Sequence, residues 1–367
     1  MWILLLILGL VLFVSLVVVH ELGHFLAARR NKVDVEEFGI GFPPRAWKRK
    51  TKKGFIFSLN WLPIGGFVKL KGESDSDTSK GSFGAASFWA KTKIMLAGVA
   101  MNVVVAFLLL TFVAWLGMPQ LVDNQFTVDR DTSIAKNEVL VGFVEEGSPA
   151  DQAGLQTRDQ LLAIASSGQA DMVTSAEALP DLTQQYAGEE VIITYERDGE
   201  ERTTTTQLRD DEEAEDVAYL GLAPTEFTLQ QSTWSAPIVA AGLLKQFTVL
   251  TFQGLGTAIG AIFQGDGARA AEQVAGPVGI VAVLKEGSLL GYQFVLLIVA
   301  IISLSLAIIN ILPIPALDGG RFYMMLLSRI FGKKLSRDME ERIVGASFIF
   351  LILLIVLITV VDIRRFF

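Results

Sequence analysis

His20-Glu-Leu-Gly-His24 sets two histidines four residues apart, and they are the only histidines in the 367 residues. On a helix, residues four apart project from one face one turn apart, so both imidazoles can reach a single tetrahedral cation. The pattern His-Glu-x-x-His is that of a zinc hydrolase centre, in which the glutamate, here Glu21, takes a proton from water held by the metal. Zinc needs a third protein ligand. With no cysteine and no further histidine, that ligand must be an aspartate or a glutamate. Asp318 is the best-placed candidate, in Asn310-Ile-Leu-Pro-Ile-Pro-Ala-Leu-Asp-Gly-Gly320; a helix-ending Asp-Gly turn is the competing reading of the same residue.

The elements that must position these groups are long and apolar. Hydrophobic residues make up 51 % of the chain and concentrate in runs over 2–28, 94–115, 293–311 and 343–361. Each is about long enough to cross a hydrocarbon core, which takes roughly 20 residues of helix. His20, Glu21 and His24 lie inside the first run, where ionisable side chains are costly and mark function. Asp318 closes the third run. If the first and third runs point the same way, Asp318 reaches the histidine end of the first. Pro313 and Pro315 break the helix just before it, and irregular backbone at membrane depth is tolerated only where it is buried or lines a wet cavity.

Charge sorts the chain across the bilayer. Between Leu121 and Glu226 lie 24 acidic and 6 basic residues, a formal −18 against −8 for the whole chain. The linkers after the first and third runs are basic, through Arg29, Arg30, Arg45 and Lys48 to Lys53 in one and Arg321, Arg329, Lys333, Lys334, Arg337 and Arg342 in the other. The positive-inside rule puts both linkers in the cytoplasm and the acidic segment outside. That segment would repel phosphate, which excludes nucleic-acid binding. The first run lacks a basic flank before it and a small-residue cleavage site after it, so it reads as a retained span with its N-terminus outside. The stretch 236–263 is apolar but carries Lys245, Gln246, Gln253 and several glycines. A crossing there would put the two basic linkers on opposite sides, so it reads as a surface-lying helix pair in the outer leaflet, leaving four spans.

Two further regions have a pattern of their own. Residues 54–70 are aromatic and β-branched, punctuated by Pro63, Gly65 and Gly66, which predicts a β-hairpin or small sheet that dips into the membrane interface. A Ser/Asp/Gly connector follows over 73–84. The acidic segment reads as α+β: strands over 138–144, 159–164, 190–195 and 202–208, a Gly-Ser-Pro turn with a short helix at 147–153, a tight turn at 197–200, an acidic loop at 210–216 and a closing strand over 219–222.

With these segments in place, the chain resembles the site-2 protease family of intramembrane zinc metalloproteases, most closely the bacterial regulator of sigma-E type. His20–His24 matches the family's zinc motif, and Asn310-x-x-Pro-x-Pro-x-Leu-Asp-Gly-Gly its second motif, whose aspartate is the third ligand. Gly39-Ile-Gly-Phe42 and Pro63 to Leu70 look like its membrane-reentrant β-structure, and Gly276-Pro-Val-Gly-Ile280 like a further signature. Val144-x-x-Gly-Ser-Pro-Ala-x-x-Ala-Gly-Leu155 is similar to its PDZ pattern, with space for one PDZ domain. Ala97-Gly-Val-Ala-Met-Asn102 departs from the usual second-span motif by lacking a proline. Arg158 stands where the PDZ pattern has glycine.

The resemblance implies a polytopic helical membrane protein of about four spans, with a membrane-associated β-hairpin and one inserted extracytoplasmic PDZ domain. The expected divisions are 1–120, the first membrane half; 121–228, the PDZ domain; 229–291, extracytoplasmic amphipathic helices; and 292–367, the second membrane half. It implies a metalloendopeptidase of the bacterial plasma membrane, PDZ domain outside, that cleaves the spans of single-span proteins already trimmed by an upstream site-1-type protease. Anti-sigma factors and remnant signal peptides are the candidate substrates. Glu21 would be catalytic, and His20, His24 and Asp318 would bind Zn²⁺. Asn310, Gly65 and Gly66 would meet an extended substrate, and Asn102 either does the same or packs helix on helix. A non-catalytic PDZ adaptor and a metal transporter are the rival readings.

Overall fold

In the computed structural model, residues 73–76, 78, 123, 167, 198, 215, 216, 333–335 and 367 lie outside the described part of the chain. They include part of the expected connector, turn and acidic loop, and the Lys333–Lys334 pair. Helix α1 (Trp2–Arg30) is followed by strands β1 (Val35–Lys50) and β2 (Ile56–Leu70) and helix α2 (Phe88–Leu116). A strand-rich stretch then runs β3 (Met118–Pro119), β4 (Ser133–Val144), α3 (Pro149–Gln152), β5 (Gln160–Ser166), β6 (Gln169–Met172), α4 (Leu179–Gln184), β7 (Glu190–Arg197), β8 (Glu200–Gln207) and β9 (Leu222–Gln231). Helices α5 (Ala236–Phe263), α6 (Gly267–Glu272), α7 (Pro277–Leu290), α8 (Tyr292–Ile311), α9 (Asp318–Ile330) and α10 (Arg337–Phe366) complete it. The chain divides into a helical unit, made of Met1–Leu116, Gln125–Val128 and Thr233–Phe367, and a sheet unit, made of Gly117–Asn124 and Asp129–Ser232.

In the helical unit, α1, α2, α5, α8 and α10 are each long and apolar enough to cross a membrane. Four coincide with the expected runs. The fifth is a correction: 236–263 is one unbroken helix of 28 residues and not a pair. Its glycines lower helix propensity by about 1 kcal/mol each relative to alanine, too little to break a helix that buries Val239, Ala240, Leu243 and Phe247 on one side.

Contacts fix helix directions. His20 lies beside Asn102 and His24 beside Ile94, so α1 and α2 are antiparallel. Gly9 faces Val295 while His20 meets Asp318, so α1 and α8 run parallel. Leu16, Leu284 and Val299 form the buried centre between α1, α7 and α8. The close approach of α1 to α2 depends on Gly23, where a methyl group would sit 2.5 Å from the Ala97 carbonyl oxygen. Helix α8 stops where Leu312 turns extended ahead of Pro313. The first turn of α9 then packs on the backbone of Ile311 to Pro315, which Gly319 and Gly320 permit by having no side chain.

The expected small sheet is present, but 54–70 is not a hairpin of its own: it supplies the single strand β2, whose partner in a two-stranded antiparallel sheet is β1, from the linker before it. Trp47, Trp61 and Leu62 are exposed on this sheet. Glu37 is buried beneath and accepts from Ser58 Oγ at 2.6 Å and from Arg45 Nε at 3.1 Å. Burial alone would push its carboxyl up, but the Ser58 hydroxyl and the Arg45 guanidinium outweigh it and hold the group below the ordinary glutamate range.

The sheet unit is antiparallel, ordered β3-β9-β4-β5-β7-β8 with β6 beside β5. Alternation along β7 sends Val191, Ile193 and Tyr195 into a core shared with Val139, Val141, Leu161 and Ile164. Ser148 caps α3 by accepting from the Asp151 amide at 3.2 Å, with Pro149 in the first turn. The closing strand begins at Leu222, where the sequence reading ends it, and runs on to Gln231.

Candidate active site

The histidine pair and Asp318 meet inside the helical unit. His20 Nε2 lies 3.0 Å from Asp318 Oδ2, His24 Nε2 lies 3.1 Å from the same oxygen, and the two nitrogens are 3.1 Å apart. The side chains are 10 %, 12 % and 24 % exposed. Three acceptor atoms this close repel one another unless positive charge lies among them. Nitrogen and oxygen ligands about 2.0–2.1 Å from a tetrahedral zinc sit roughly 3.3 Å apart, so the trio has both the donor set and the spacing to hold one. Among the described residues it is the single group of this kind.

Helix α2 shapes the other side. His24 Nδ1 donates to the Ile94 carbonyl at 2.8 Å, which turns Nε2 toward the trio. Gly98 sits over both imidazoles; a methyl group there would fall on His24 Nε2 and within 2.7 Å of His20 Nε2. Gly98 thus keeps open the space that the trio needs. Its place in the second-span motif was legible, but its role was not. Ile94 acts through a backbone carbonyl, which leaves no mark in a sequence.

Glu21 and His24 open onto a cavity of about 380 Å³ walled by Phe67, Val68, Met95 and Arg321, with Asp318 at its edge. The backbone of Val68 stands beside the Glu21 carboxylate. Gly66 lies against Glu21, 3.3 Å from a methyl group placed on it to Glu21 Cγ. Strand β2 therefore borders the cavity where Glu21 stands. Gly65 turns away, packing on the Phe42 ring with φ +99°. Asn310 is half-buried and donates its amide to the Leu306 carbonyl at 2.9 Å. Asn102, expected to meet substrate, is 1 % exposed beside His20 and has no surface to offer one.

A bundle of apolar helices with a metal-competent trio and an acid beside it describes a membrane-embedded metalloenzyme. The sequence pattern of Peptidase family M50 matches residues 8–354, and the chain belongs to that family. It is 31 % identical over 360 residues to "Putative zinc metalloprotease FN1322" of Fusobacterium nucleatum, covering 98 % of this chain and 97 % of that one. It is 26 % identical over 443 residues to the zinc metalloprotease RasP of Shouchella clausii, covering 97 % and 98 %. It is 24 % identical over 441 residues to the regulator of sigma-W protease RasP of Bacillus subtilis, covering 97 % of each. The protein is a membrane zinc metalloprotease of the site-2 type.

Proposed function

We propose that His20, His24 and Asp318 hold the zinc and that Glu21 moves the protons of peptide hydrolysis within the membrane. The observation that carries this is the meeting of Nε2, Nε2 and Oδ2 within 3.1 Å of one another. Zinc, when bound, supplies a Lewis acid that polarises the scissile carbonyl and makes water acidic enough to attack at neutral pH. Glu21 accepts the proton of the attacking water and returns it to the leaving amine. Gly98 leaves room for the reacting groups, and the surrounding apolar helices keep other water away.

Substrates on this reading are single-span membrane proteins already shortened by an upstream site-1-type protease. The B. subtilis relative's name favours anti-sigma factors over remnant signal peptides. A helix hides its carbonyls, so the scissile segment must unwind; β2 beside Glu21 would hold it extended, with Gly66 and Asn310 as contacts to its backbone and Gly65, turned onto Phe42, set aside from that role. The sheet unit, with its capped Gly-Ser-Pro turn, is assigned as a PDZ domain outside a bacterial plasma membrane.

Four crossings account best for the helix directions. Because α1 is antiparallel to α2 and parallel to α8, Leu116 and Tyr292 lie on the same side of the bilayer. Between them, among the described residues, α5 alone is long and apolar enough to cross. Helix α7, with 14 residues, is about 21 Å long, short of the roughly 30 Å core. One crossing would put Tyr292 on the wrong side, so α5 lies along the outer leaflet.

The test combines metal analysis with co-expression of trimmed, tagged single-span proteins. Wild type should carry one zinc per chain and produce fragments. Glu21→Gln should keep the zinc and lose cleavage by at least about 100-fold, and Asp318→Ala should lose the zinc. Full zinc occupancy in Asp318→Ala would overturn the ligand assignment. A metal transporter would still carry zinc across the membrane with Glu21→Gln.

A further inference from the structure

Each histidine turns only Nε2 toward the trio. For Nε2 to offer a lone pair, the ring proton must sit on Nδ1, and the group that accepts that proton fixes the tautomer and the tilt of the ring. For His24 the acceptor is the Ile94 carbonyl, at 2.8 Å. For His20 the group at hand is Asn102, whose amide nitrogen lies 3.3 Å from Nδ1. Two N–H groups facing each other there would repel. At the same time, Asn102 Oδ1 is buried without a hydrogen-bond partner, an arrangement that folded proteins avoid. A half-turn of the carboxamide, exchanging two groups of nearly equal size, resolves both faults: Oδ1 accepts from Nδ1–H.

The placement of Asn102 suits this use. It is 1 % exposed, and its backbone carbonyl accepts from Ser303 Oγ at 2.8 Å, a hydroxyl on a fully buried residue of α8. Ile94, Gly98 and Asn102 follow at intervals of four and form one stripe of α2 facing α1. Its two ends serve the Nδ1 atoms of the two histidines and its middle leaves space for the trio.

We propose that Asn102 is a positioning residue of the zinc site, holding His20 as the Nδ1–H tautomer with Nε2 aimed at the metal. This rests on the assignment of His20, His24 and Asp318 as ligands. It removes Asn102 from the substrate contacts and gives its carboxamide the job that the Ile94 carbonyl does for His24.

The experiment uses the purified full chain in detergent. Zinc affinity is measured by competition with a chelator, and the visible spectrum is recorded after exchange with Co²⁺. Asn102→Leu, which keeps the volume and removes the acceptor, should lower zinc affinity by about 10–100-fold and change the cobalt spectrum. Asn102→Asp keeps an acceptor and should stay within a few-fold of wild type. Ser303→Ala cuts the other tie to the same residue and should bind zinc as wild type does. Should Asn102→Leu fail to fold, Asn102→Ala set against Asn102→Asp reads the same difference. Wild-type affinity in the variants lacking an acceptor, failure of Asn102→Asp to rescue, or an equal loss in Ser303→Ala would each overturn the proposal. A wild-type protein that binds no zinc would instead end the ligand assignment beneath it.

Discussion

Polar side chains are scarce in α1 and abundant in the sheet unit, and they carry different information in the two places. Between Ile3 and Ala28 the polar side chains are Ser15, His20, Glu21 and His24. Ser15 is absorbed by its own helix, donating to the Val11 carbonyl at 2.7 Å. The other three belong to the trio and its cavity. In the sheet unit acidic residues crowd the surface, and among its described residues Asp159 is the one acid that is buried, at 1 % exposure. It accepts from Arg197 Nε at 2.7 Å and Nη2 at 2.6 Å, and from the Gln156 amide at 2.7 Å. Where the surroundings are apolar, each ionisable group carries a desolvation cost that function or pairing must offset. Where they are wet, most charges are solvated and carry little.

If that contrast is right, the smallest change beside the trio should do more damage than a larger change in the sheet unit. Gly98→Ala adds one methyl group on top of His24 Nε2 and 2.7 Å from His20 Cε1. Neither ring can retreat freely, because His24 is held by Ile94 and His20 is walled by Asn102. Zinc content should fall at least about 10-fold and proteolysis to background, with the helical content unchanged by circular dichroism. A Gly98→Ala protein with full zinc and full activity would mean that the trio is not packed against α2 as described.

The sheet unit offers the opposite test. Asp159→Asn leaves the half-buried Arg197 without its counter-charge, a loss of about 1.5–3 kcal/mol for hydrogen bonds to a charged group. Amide hydrogen exchange should quicken through β5 and β7, the strands that carry and face the pair, while zinc content stays at the wild-type level. Loss of zinc in Asp159→Asn would break the separation drawn between the two regions.

How much could be read in advance follows the same divide. His20, Glu21 and His24 were legible because helical spacing and an apolar setting leave few other uses for them. Asp318 followed from the lack of any other donor type, although nothing in its own segment measures a distance to His20. The single helix over 236–263 was misread as a pair, since glycines and glutamines lower local propensity while the packing of Leu243 and Phe247, which overrides it, is a property of the bundle. The start of β9 was placed early because Tyr219 to Leu222 looks like a strand, whereas pairing with β4 runs from Leu222 onward. Gly98 and Asn102 were visible as a motif, but their jobs depend on the register of α2 against α1, which no spacing within one helix encodes.

Arg158 provides the smallest and most local test. It holds φ +80°, in the left-handed region where a side chain costs an L-residue roughly 1–2 kcal/mol, and it precedes the buried Asp159 in the turn into β5. Its backbone amide donates to the Val141 carbonyl at 2.7 Å, so the conformation is fixed by the sheet and cannot relax. The side chain itself is exposed. Arg158→Gly removes the strain but adds about 0.5–1 kcal/mol of backbone entropy to be lost on folding, for a net gain of about 0.5–1 kcal/mol. The sheet unit should then melt about 2–8 °C higher, with zinc content and proteolysis unaltered. A lower melting point would mean that the arginine side chain, and not its backbone, is what the turn needs. A change in zinc content would show that the two units are not independent in the way their polar residues suggest.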